Sequence, residues 1–210
     1  MIKAVIFDLD GVIVSTDQLH YEAWKHVADQ EDIYFDEKIN HRLRGVSRMD
    51  SLNIMLEKAD KTYSESEKEK LAKTKNDYYV DLLKQLSPND MLPHVYDVLL
   101  NLKEQGIKIA IGSSSRNAKT ILKYLGISCL FDAIADGTDI ENSKPAPDVF
   151  LRAAEKLGVS YSSCAVIEDA TVGIEAAKKA GMLAIAVFDA KKSEQADHKL
   201  DDIRDLLSIV

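Results

Sequence analysis

The chain has 210 residues, which is enough for one sizeable domain or for a core that carries a smaller insertion. Hydrophobic residues make up 46% of the sequence and charged residues 30%, a balance typical of a globular protein that buries a core. The formal net charge of −8 argues against a general affinity for nucleic acid or anionic membrane, so a phosphate-bearing ligand must meet a local group of cations.

The sequence also favours a reducing cytoplasmic location. Asp8 and Asp10 interrupt the first apolar run, which lacks the order of a signal peptide. No segment approaches the roughly 20 apolar residues that cross a bilayer. Cys129 and Cys164 form no CxxC pair, which argues against a disulfide framework or a zinc site. We therefore expect a cytoplasmic protein with no membrane or nucleic-acid partner, in which each cysteine is a small buried hydrophobic residue.

The first predicted element is a strand from Ala4 to Phe7. The run is short, apolar and β-branched, and it ends abruptly in charge. This pattern indicates a strand that is buried on both faces, as in a parallel sheet covered by helices.

The chain from residue 15 to residue 86 has an almost wholly helical pattern without a strand candidate. Clear helical signals cover Arg48 to Leu56 and Glu65 to Leu86. We interpret this part as a helical domain inserted after the first strand. The predicted domains are a core of residues 1–14 and 87–210 and an insertion of residues 15–86.

Strands and helices alternate in the rest of the chain. Glycine follows the last apolar turn of each predicted helix, where a helix is expected to end. This alternation predicts an α/β fold with a doubly wound, mostly parallel, Rossmann-like sheet. The predicted strands are Ile107 to Ile111, Cys164 to Ile167 and Leu183 to Val187, and the predicted helices are Asn117 to Leu125, Pro147 to Leu157 and Val172 to Ala180. Beyond them we expect a polar surface segment from Lys191 to Lys199 and a short helix or strand within Asp201 to Val210.

Asp8 and Asp10 lie where the first predicted strand ends. Residues i and i+2 of an extended segment point the same way, so both carboxylates face one site. Ligands of open α/β sheets bind outside the carboxyl ends of the strands. Two neighbouring acidic groups repel each other unless a cation or a shared proton intervenes, and Mg²⁺ prefers such oxygen ligands. The alternative is a polar strand end that faces solvent.

A second acidic pair, Glu168-Asp169, follows another predicted strand. Two parallel strands that both end in acid can bring four carboxylates around one metal ion. Alone, such a pair is more often an N-cap arrangement favoured by the helix dipole. Together with Asp8 and Asp10, it favours a metal site.

A strand end and the opening of a predicted helix carry residues suited to phosphate. Ser113-Ser114-Ser115 leads towards a predicted helix, and hydroxyl groups with free backbone N–H groups form a phosphate cradle. Lys144, before Pro145, can hold a carboxylate and a transferring phosphoryl group together. The alternatives are simple N-capping by serine and an exposed lysine.

These four elements, in this order, resemble the haloacid dehalogenase superfamily. They are the DLDG motif from Asp8 to Gly11, Ser113, Lys144 and the pair Glu168-Asp169. The helical insertion looks like the mobile cap of that superfamily, so the resemblance spans nearly the whole chain.

Within the superfamily, the sequence is similar to the β-phosphoglucomutase family. That family interconverts β-D-glucose 1-phosphate and glucose 6-phosphate through β-glucose 1,6-bisphosphate. The stretches that carry the similarity are Phe7 to Ile13, His20 with Trp24, Gly45 to Arg48, Asp50 to Leu52, Lys75 to Asp77, Phe131 to Asp136 and Ser143 to Asp148.

The resemblance implies a role for each matching residue. Asp8 would become the aspartyl phosphate, and Asp10 would act as general acid and base for the sugar hydroxyl. Ser113 and Lys144 would hold the transferring phosphoryl group. Mg²⁺ would be bound by Asp8, the Asp10 carbonyl group, Asp169 and, directly or through water, Glu168.

The resemblance also implies a set of substrate-binding residues in a monomer that acts on a small sugar phosphate. Arg48 would grip the distal phosphate, a role that suits a bidentate guanidinium group. The others, which would contact the sugar, tune cap closure or line the distal face of the pocket, are His20, Trp24, Gly45, Val46, Ser51, Lys75, Ser114, Ser115, Arg116 and Asn117.

Two departures from the family pattern concern the hinge and the cap entrance. Ser15 stands where an acidic residue is frequent, and Arg44 where lysine is familiar, so these two positions bear on closure rate and substrate preference. A sugar-phosphate phosphatase of the same superfamily is the main alternative. A dehalogenase would have no use for the predicted metal-binding residues. A non-catalytic phosphosugar-binding module would be expected to lack the nucleophile or some of the metal-binding residues.

Overall fold

The computed structural model describes residues 1–43 and 46–210. The chain forms two compact units, one from Met1–Ser15 with Ser87–Val210 and the other from Thr16–Leu86. Among the described residues, no helix combines the length and apolar character that a membrane span requires.

The first unit contains a six-stranded sheet in which every pairing is parallel. The strand order is β3-β2-β1-β4-β5-β6, so the sheet grows outwards from β1 in both directions. This architecture confirms the predicted doubly wound α/β fold. The strands are β1 (Ala4–Phe7), β2 (Lys108–Gly112), β3 (Ala133–Ala135), β4 (Cys164–Glu168), β5 (Leu183–Ala186) and β6 (His198–Lys199).

Helices flank the sheet and bury its apolar side chains. Val149, Phe150 and Ala153 pack with Ile6 and Val166 in one continuous core, because strands covered by helices expose neither face to water. The α-helices of this unit in chain order are Val95–Glu104, Ala118–Tyr124, Asp148–Leu157 and Thr171–Lys179. Short 3₁₀ helices cover Pro88–Asp90, Ser128–Leu130, Tyr161–Ser163, Phe188–Lys192 and Ile203–Ser208.

The second unit is helical. Its helices are α1 (Asp17–Gln30), α2 (Glu37–His41), α3 (Arg48–Leu56) and α4 (Glu65–Leu83), so the four helices of the first unit become α5 to α8. A capping box starts α4, in which Ser64 and Glu67 exchange hydrogen bonds between side chain and backbone. Trp24, Leu52 and Met55 lie in the core of this unit.

Several details differ from the sequence-based expectations. The strands β3 and β6 were not predicted, since runs of three and two residues are too short to show periodicity. The segment Lys191 to Lys199 is not only a surface stretch, because it contains β6. Cys164 is buried, but Cys129 is exposed, because it lies in the surface 3₁₀ turn Ser128–Leu130.

Candidate active site

Three carboxylates meet at the carboxyl ends of β1 and β4. These strands are neighbours, and Phe7 is paired with Ile167, so Asp8 and Glu168 follow at the same level of the sheet. One side-chain oxygen of each of Asp8, Glu168 and Asp169 lies within 4.8 Å of the others. The sheet register therefore brings Asp8, from the first acidic pair, to the second pair, Glu168-Asp169.

Lys144 is the cation of this cluster. Its Nζ lies 2.6 Å from Asp8 Oδ1 and also donates to Glu168 Oε1, and its side chain is only 3% exposed. Burial alone would lower the pKa of Lys144, but the charges of Asp8 and Glu168 raise it above its ordinary value. Lys144 is therefore a permanent ammonium group. Because it is buried and paired with Asp8 and Glu168, the alternative of an exposed lysine is wrong.

The cluster carries more negative charge than Lys144 can balance. Burial raises the pKa of both Glu168 and Asp169 above the ordinary range of carboxyl groups, and the charge of Asp8 adds to this effect. A divalent cation would relieve this repulsion, and hard oxygen donors are the ligands that Mg²⁺ prefers. The three side chains thus fit the metal that the sequence predicted.

Two glycines allow the acidic side chains to lie where they do. A Cβ atom on Gly11, whose φ is +82°, would lie 2.1 Å from Asp169 Oδ2. A Cβ atom on Gly173 would lie 2.0 Å from Glu168 Cδ. The close approach of Gly173 to Glu168 has no signal in the residue pattern.

The acidic pair does not cap the helix that follows it. The N-cap residue of α8 is Ala170, which makes no side-chain capping hydrogen bond. Glu168 instead accepts the N–H of Ala170 through Oε2 at 3.1 Å. The alternative of simple N-capping is therefore wrong for Glu168-Asp169.

Asp10 is partly buried and forms a backbone bridge with Val14. Its side chain is not a member of the carboxylate cluster found among the described residues. Its charge nevertheless contributes to raising the pKa of Asp169, after burial and the charges of Asp8 and Glu168. Asp10 is thus an electrostatic neighbour of the cluster rather than one of its three side-chain members.

The loop Ser113–Asn117, here called the serine loop, follows β2. Ser113 is 3% exposed, and its Oγ accepts the N–H of Ser115 at 3.1 Å. Ser115 Oγ accepts the N–H of Asn117 at 3.2 Å. Because α6 begins only at Ala118 and no serine caps it in the described chain, the alternative of serine N-capping is wrong. Ser114 Oγ is buried without a hydrogen-bond partner among the described residues, whereas Arg116 is exposed.

A second group of the predicted residues meets inside the helical unit. Lys75 is 3% exposed, and its Nζ lies 2.8 Å from His20 Nδ1. The same ammonium group lies 5.0 Å from the ring centre of Trp24 and 4.4 Å from that of Tyr79. Tyr79, one helical turn after Lys75, donates to Thr16 Oγ1 and was missed in the sequence, where i, i+4 spacing was the available signal.

The other predicted residues of this unit lie on or near α3. Arg48 is the first residue of α3 and is partly buried, and Ser51 is 5% exposed. Val46 is partly buried. Gly45 and Arg44 lie outside the described residues.

The lysine contact fixes the protonation of His20. An ammonium group can only donate, so Nδ1 accepts and the proton of the neutral ring lies on Nε2. Burial, with the charges of Lys75 and Arg48, holds the pKa of His20 well below 6.5. His20 is therefore neutral near pH 7.

This assignment predicts how stability depends on pH. Above pH 6.5 the ring is neutral in both states, but below it the unfolded chain binds a proton that the folded chain rejects. We expect the free energy of unfolding to fall by up to about 1.4 kcal/mol per pH unit from this group. Urea unfolding of the wild type and of His20→Asn between pH 5 and pH 8 isolates it, since asparagine still accepts from Lys75 but does not titrate. Parallel curves for the two proteins would contradict the assignment.

The chain is similar to known phosphoglucomutases and to a phosphatase. β-Phosphoglucomutase of Bacillus subtilis (strain 168) is 47% identical over 206 residues, which are 97% of this chain and 91% of that protein. A phosphorylated carbohydrates phosphatase of Thermotoga maritima is 33% identical over 183 residues, 86% of this chain and 82% of that protein. The crystal structure of a β-phosphoglucomutase from Clostridium difficile matches with a TM-score of 0.92 and 40% identity, covering 99% of this chain and 96% of that one.

The family assignment follows from a match that covers most of the chain. The model of the haloacid dehalogenase-like hydrolases matches residues 2–181, a range that includes the carboxylate cluster, Lys144 and the serine loop. The chain belongs to the haloacid dehalogenase-like hydrolase family.

Proposed function

We propose that the protein interconverts β-D-glucose 1-phosphate and glucose 6-phosphate through an aspartyl phosphate and β-glucose 1,6-bisphosphate. The observation that carries this proposal is the 47% identity to the Bacillus subtilis β-phosphoglucomutase over 97% of the chain. Lys144, Glu168 and Asp169 lie around Asp8, which supports an intact nucleophile and metal set and disfavours a non-catalytic phosphosugar-binding module.

In the proposed mechanism, Asp8 is the nucleophile. One carboxylate oxygen forms a bond to phosphorus while the bond between phosphorus and the sugar oxygen breaks. Lys144, 2.6 Å from Asp8 Oδ1, stabilises the negative charge of the carboxylate and of the transferring group. Ser113 helps to orient that group, and Asp10 exchanges the proton of the sugar hydroxyl, as general acid in one direction and general base in the other.

Mg²⁺ is the proposed cofactor. Asp8, Asp169 and the Asp10 carbonyl group would hold it, with Glu168 bound directly or through water. When bound, it would neutralise part of the charge that phosphoryl transfer develops. The excess negative charge of the cluster supports this proposal.

The choice between mutase and phosphatase depends on what accepts the phosphoryl group. Positioning and charge stabilisation catalyse phosphoryl transfer, so a mutase must orient a sugar hydroxyl and exclude water. We assign this task to the helical unit, with Arg48 holding the distal phosphate. The other proposed substrate-binding residues are His20, Trp24, Gly45, Val46, Ser51, Lys75, Ser114, Ser115, Arg116 and Asn117. The protein would act as a cytoplasmic monomer.

A sugar-phosphate phosphatase is the second candidate, because the Thermotoga maritima phosphatase is a relative. Its 33% identity over 86% of the chain is lower than that of the mutase on both measures. The comparison therefore favours an isomerase over a hydrolase.

Product analysis tests the proposal directly. The protein, Mg²⁺, β-glucose 1-phosphate and a trace of the bisphosphate should yield glucose 6-phosphate with little free phosphate. α-Glucose 1-phosphate is the matched control substrate and should give much slower conversion. Free phosphate as the main product would instead establish the phosphatase, and both products can be followed in one sample by ³¹P NMR.

A further inference from the structure

A turn that follows β3 lies directly behind the serine loop. This turn, Asp136–Asp139, is here called the bracing turn. Ser113 donates its N–H to Ala135 O at 3.1 Å, and Gly137 donates its N–H to Ser115 O at 3.2 Å. Backbone hydrogen bonds on the two sides of Ser114 thus join the loop to the end of β3 and to the bracing turn.

The contact between the two segments leaves no room for a side chain at Gly137. A Cβ atom there would lie 2.3 Å from Ser114 O and 3.0 Å from Arg116 Cγ. Gly137 does not have a positive φ, so its backbone conformation is open to other residues. Glycine is therefore required because the serine loop approaches so closely, and any larger residue must displace that loop.

Asp136 gives the turn its shape. It is 1% exposed, and its Oδ1 accepts the N–H of Thr138 at 2.9 Å and the Thr138 hydroxyl at 2.5 Å. Its Oδ2 lies 3.3 Å from Lys119 Nζ, on the first turn of α6. A buried carboxylate has a high desolvation cost, which these contacts offset, so the turn has few alternative conformations.

Asp139 anchors the far end of the turn. Its Oδ2 accepts the N–H of Asp136 at 3.0 Å and pairs with Lys156 Nζ at 2.7 Å. Lys156 also donates to Ile134 O in β3. The turn is therefore fixed to the sheet and to α7 rather than only to the loop it supports.

The serine loop contains a buried hydroxyl group that is suited to bind a ligand. Ser114 Oγ is buried without a partner among the described residues, a situation that is costly unless a ligand or water satisfies it. The hydroxyls of Ser113 and Ser115 are engaged within the loop as acceptors and keep their protons for donation. Such a loop binds an oxyanion only if its groups converge, and convergence depends on what lies behind it.

We propose that Asp136 and Gly137 are positioning residues that hold the serine loop in its phosphate-binding conformation. This inference rests on the proposed function, since it takes the serine loop as a phosphate site. Neither residue touches the substrate in this proposal. They act through the backbone of Ser114 and Ser115, and their loss should weaken phosphate binding more than it slows the chemical step.

The primary test is Gly137→Ala, compared with Gly106→Ala. Gly106 has φ +75°, and a Cβ atom there would meet no neighbouring atom within 4 Å, so its substitution strains the backbone without touching the serine loop. We expect Gly137→Ala to weaken the binding of inorganic phosphate, measured by calorimetry in Mg²⁺, by about tenfold or more. KM for p-nitrophenyl phosphate should rise by a similar factor with a smaller change in kcat. Gly106→Ala should bind phosphate as the wild type does.

Asp136 provides an independent test if Gly137→Ala does not fold. Asp136→Asn keeps an oxygen that accepts from Thr138, whereas Asp136→Ala removes it, so asparagine should restore most of the phosphate affinity that alanine loses. Unchanged affinity in a folded Gly137→Ala, or in Asp136→Ala, would overturn the proposal. So would a wild type that does not bind phosphate. These measurements use no sugar and are therefore independent of the product analysis. If the product analysis shows that the protein is a hydrolase, the phosphate-binding measurements still test the proposal.

Discussion

Replacing Asp8 with asparagine is expected to abolish turnover. The amide has no nucleophilic carboxylate oxygen, and loss of a catalytic nucleophile lowers kcat by as much as about 10⁶-fold in well-studied enzymes. The same loss is expected whether the acceptor is a sugar hydroxyl or water, because both routes pass through Asp8. The measurement is the formation of glucose 6-phosphate and of free phosphate by purified Asp8→Asn at high enzyme concentration.

The fold should survive this substitution, which separates lost chemistry from lost structure. The charge of Asp8 adds to the repulsion between Glu168 and Asp169, and this contribution is lost in Asp8→Asn. Lys144 still has Glu168 as an ion-pair partner in the variant. We expect the unfolding temperature to stay within about 4 °C of the wild type. Asp201→Asn, at an exposed surface pair, is the matched control and should retain full activity. Measurable turnover by Asp8→Asn would disprove the mechanism.

The central part of the fold was predictable because its strands are fully buried. β1 coincides with its predicted range, and β4 is one residue longer than the strand predicted from Cys164 to Ile167. Uninterrupted apolar segments leave little choice of structure. β6 has two exposed residues and no apolar pattern at all. Its pairing with β5 is a product of tertiary structure that no local signal encodes.

The carboxylate cluster was predictable from the same logic, but Lys144 was not. Asp8 and Glu168 end adjacent parallel strands, so the sheet register alone predicts that they meet. Lys144 lies outside the helices and strands, 136 residues from Asp8, and periodicity says nothing about where its side chain goes. Its role at the site was expected only because it occurs together with the other three motifs, which also carry the family resemblance.

Steric contacts between loops were the feature that the sequence predicted least well. Gly137 has an ordinary backbone conformation, and only the distance to Ser114 O shows why glycine is required there. A sequence gives the types of residue in two loops but not the space between them.

Replacing Lys144 with methionine is expected to damage both stability and activity. The Nζ of Lys144 lies 4.8 Å from the ring centre of Phe150. Methionine fills the place of the apolar part of the lysine side chain but leaves three carboxylates without a cation. Removal of one partner from a buried ion pair costs about 3–5 kcal/mol. Loss of one group that stabilises developing charge lowers kcat by about 10²–10³-fold. Urea unfolding and the product assay measure the two effects.

The lost charge of Lys144 should also change how the variant responds to Mg²⁺. If uncompensated negative charge destabilises Lys144→Met, Mg²⁺ should stabilise it more than it stabilises the wild type, because the ion binds only the folded cluster. Unfolding temperatures in EDTA and in saturating Mg²⁺ give this comparison. Lys144→Arg is the matched control, since it keeps the charge but not the shape, and should lose activity with a smaller loss of stability. An equal response to Mg²⁺ in all three proteins would show that Lys144 does not share the cluster's charge balance, and the site would have to be rebuilt without it.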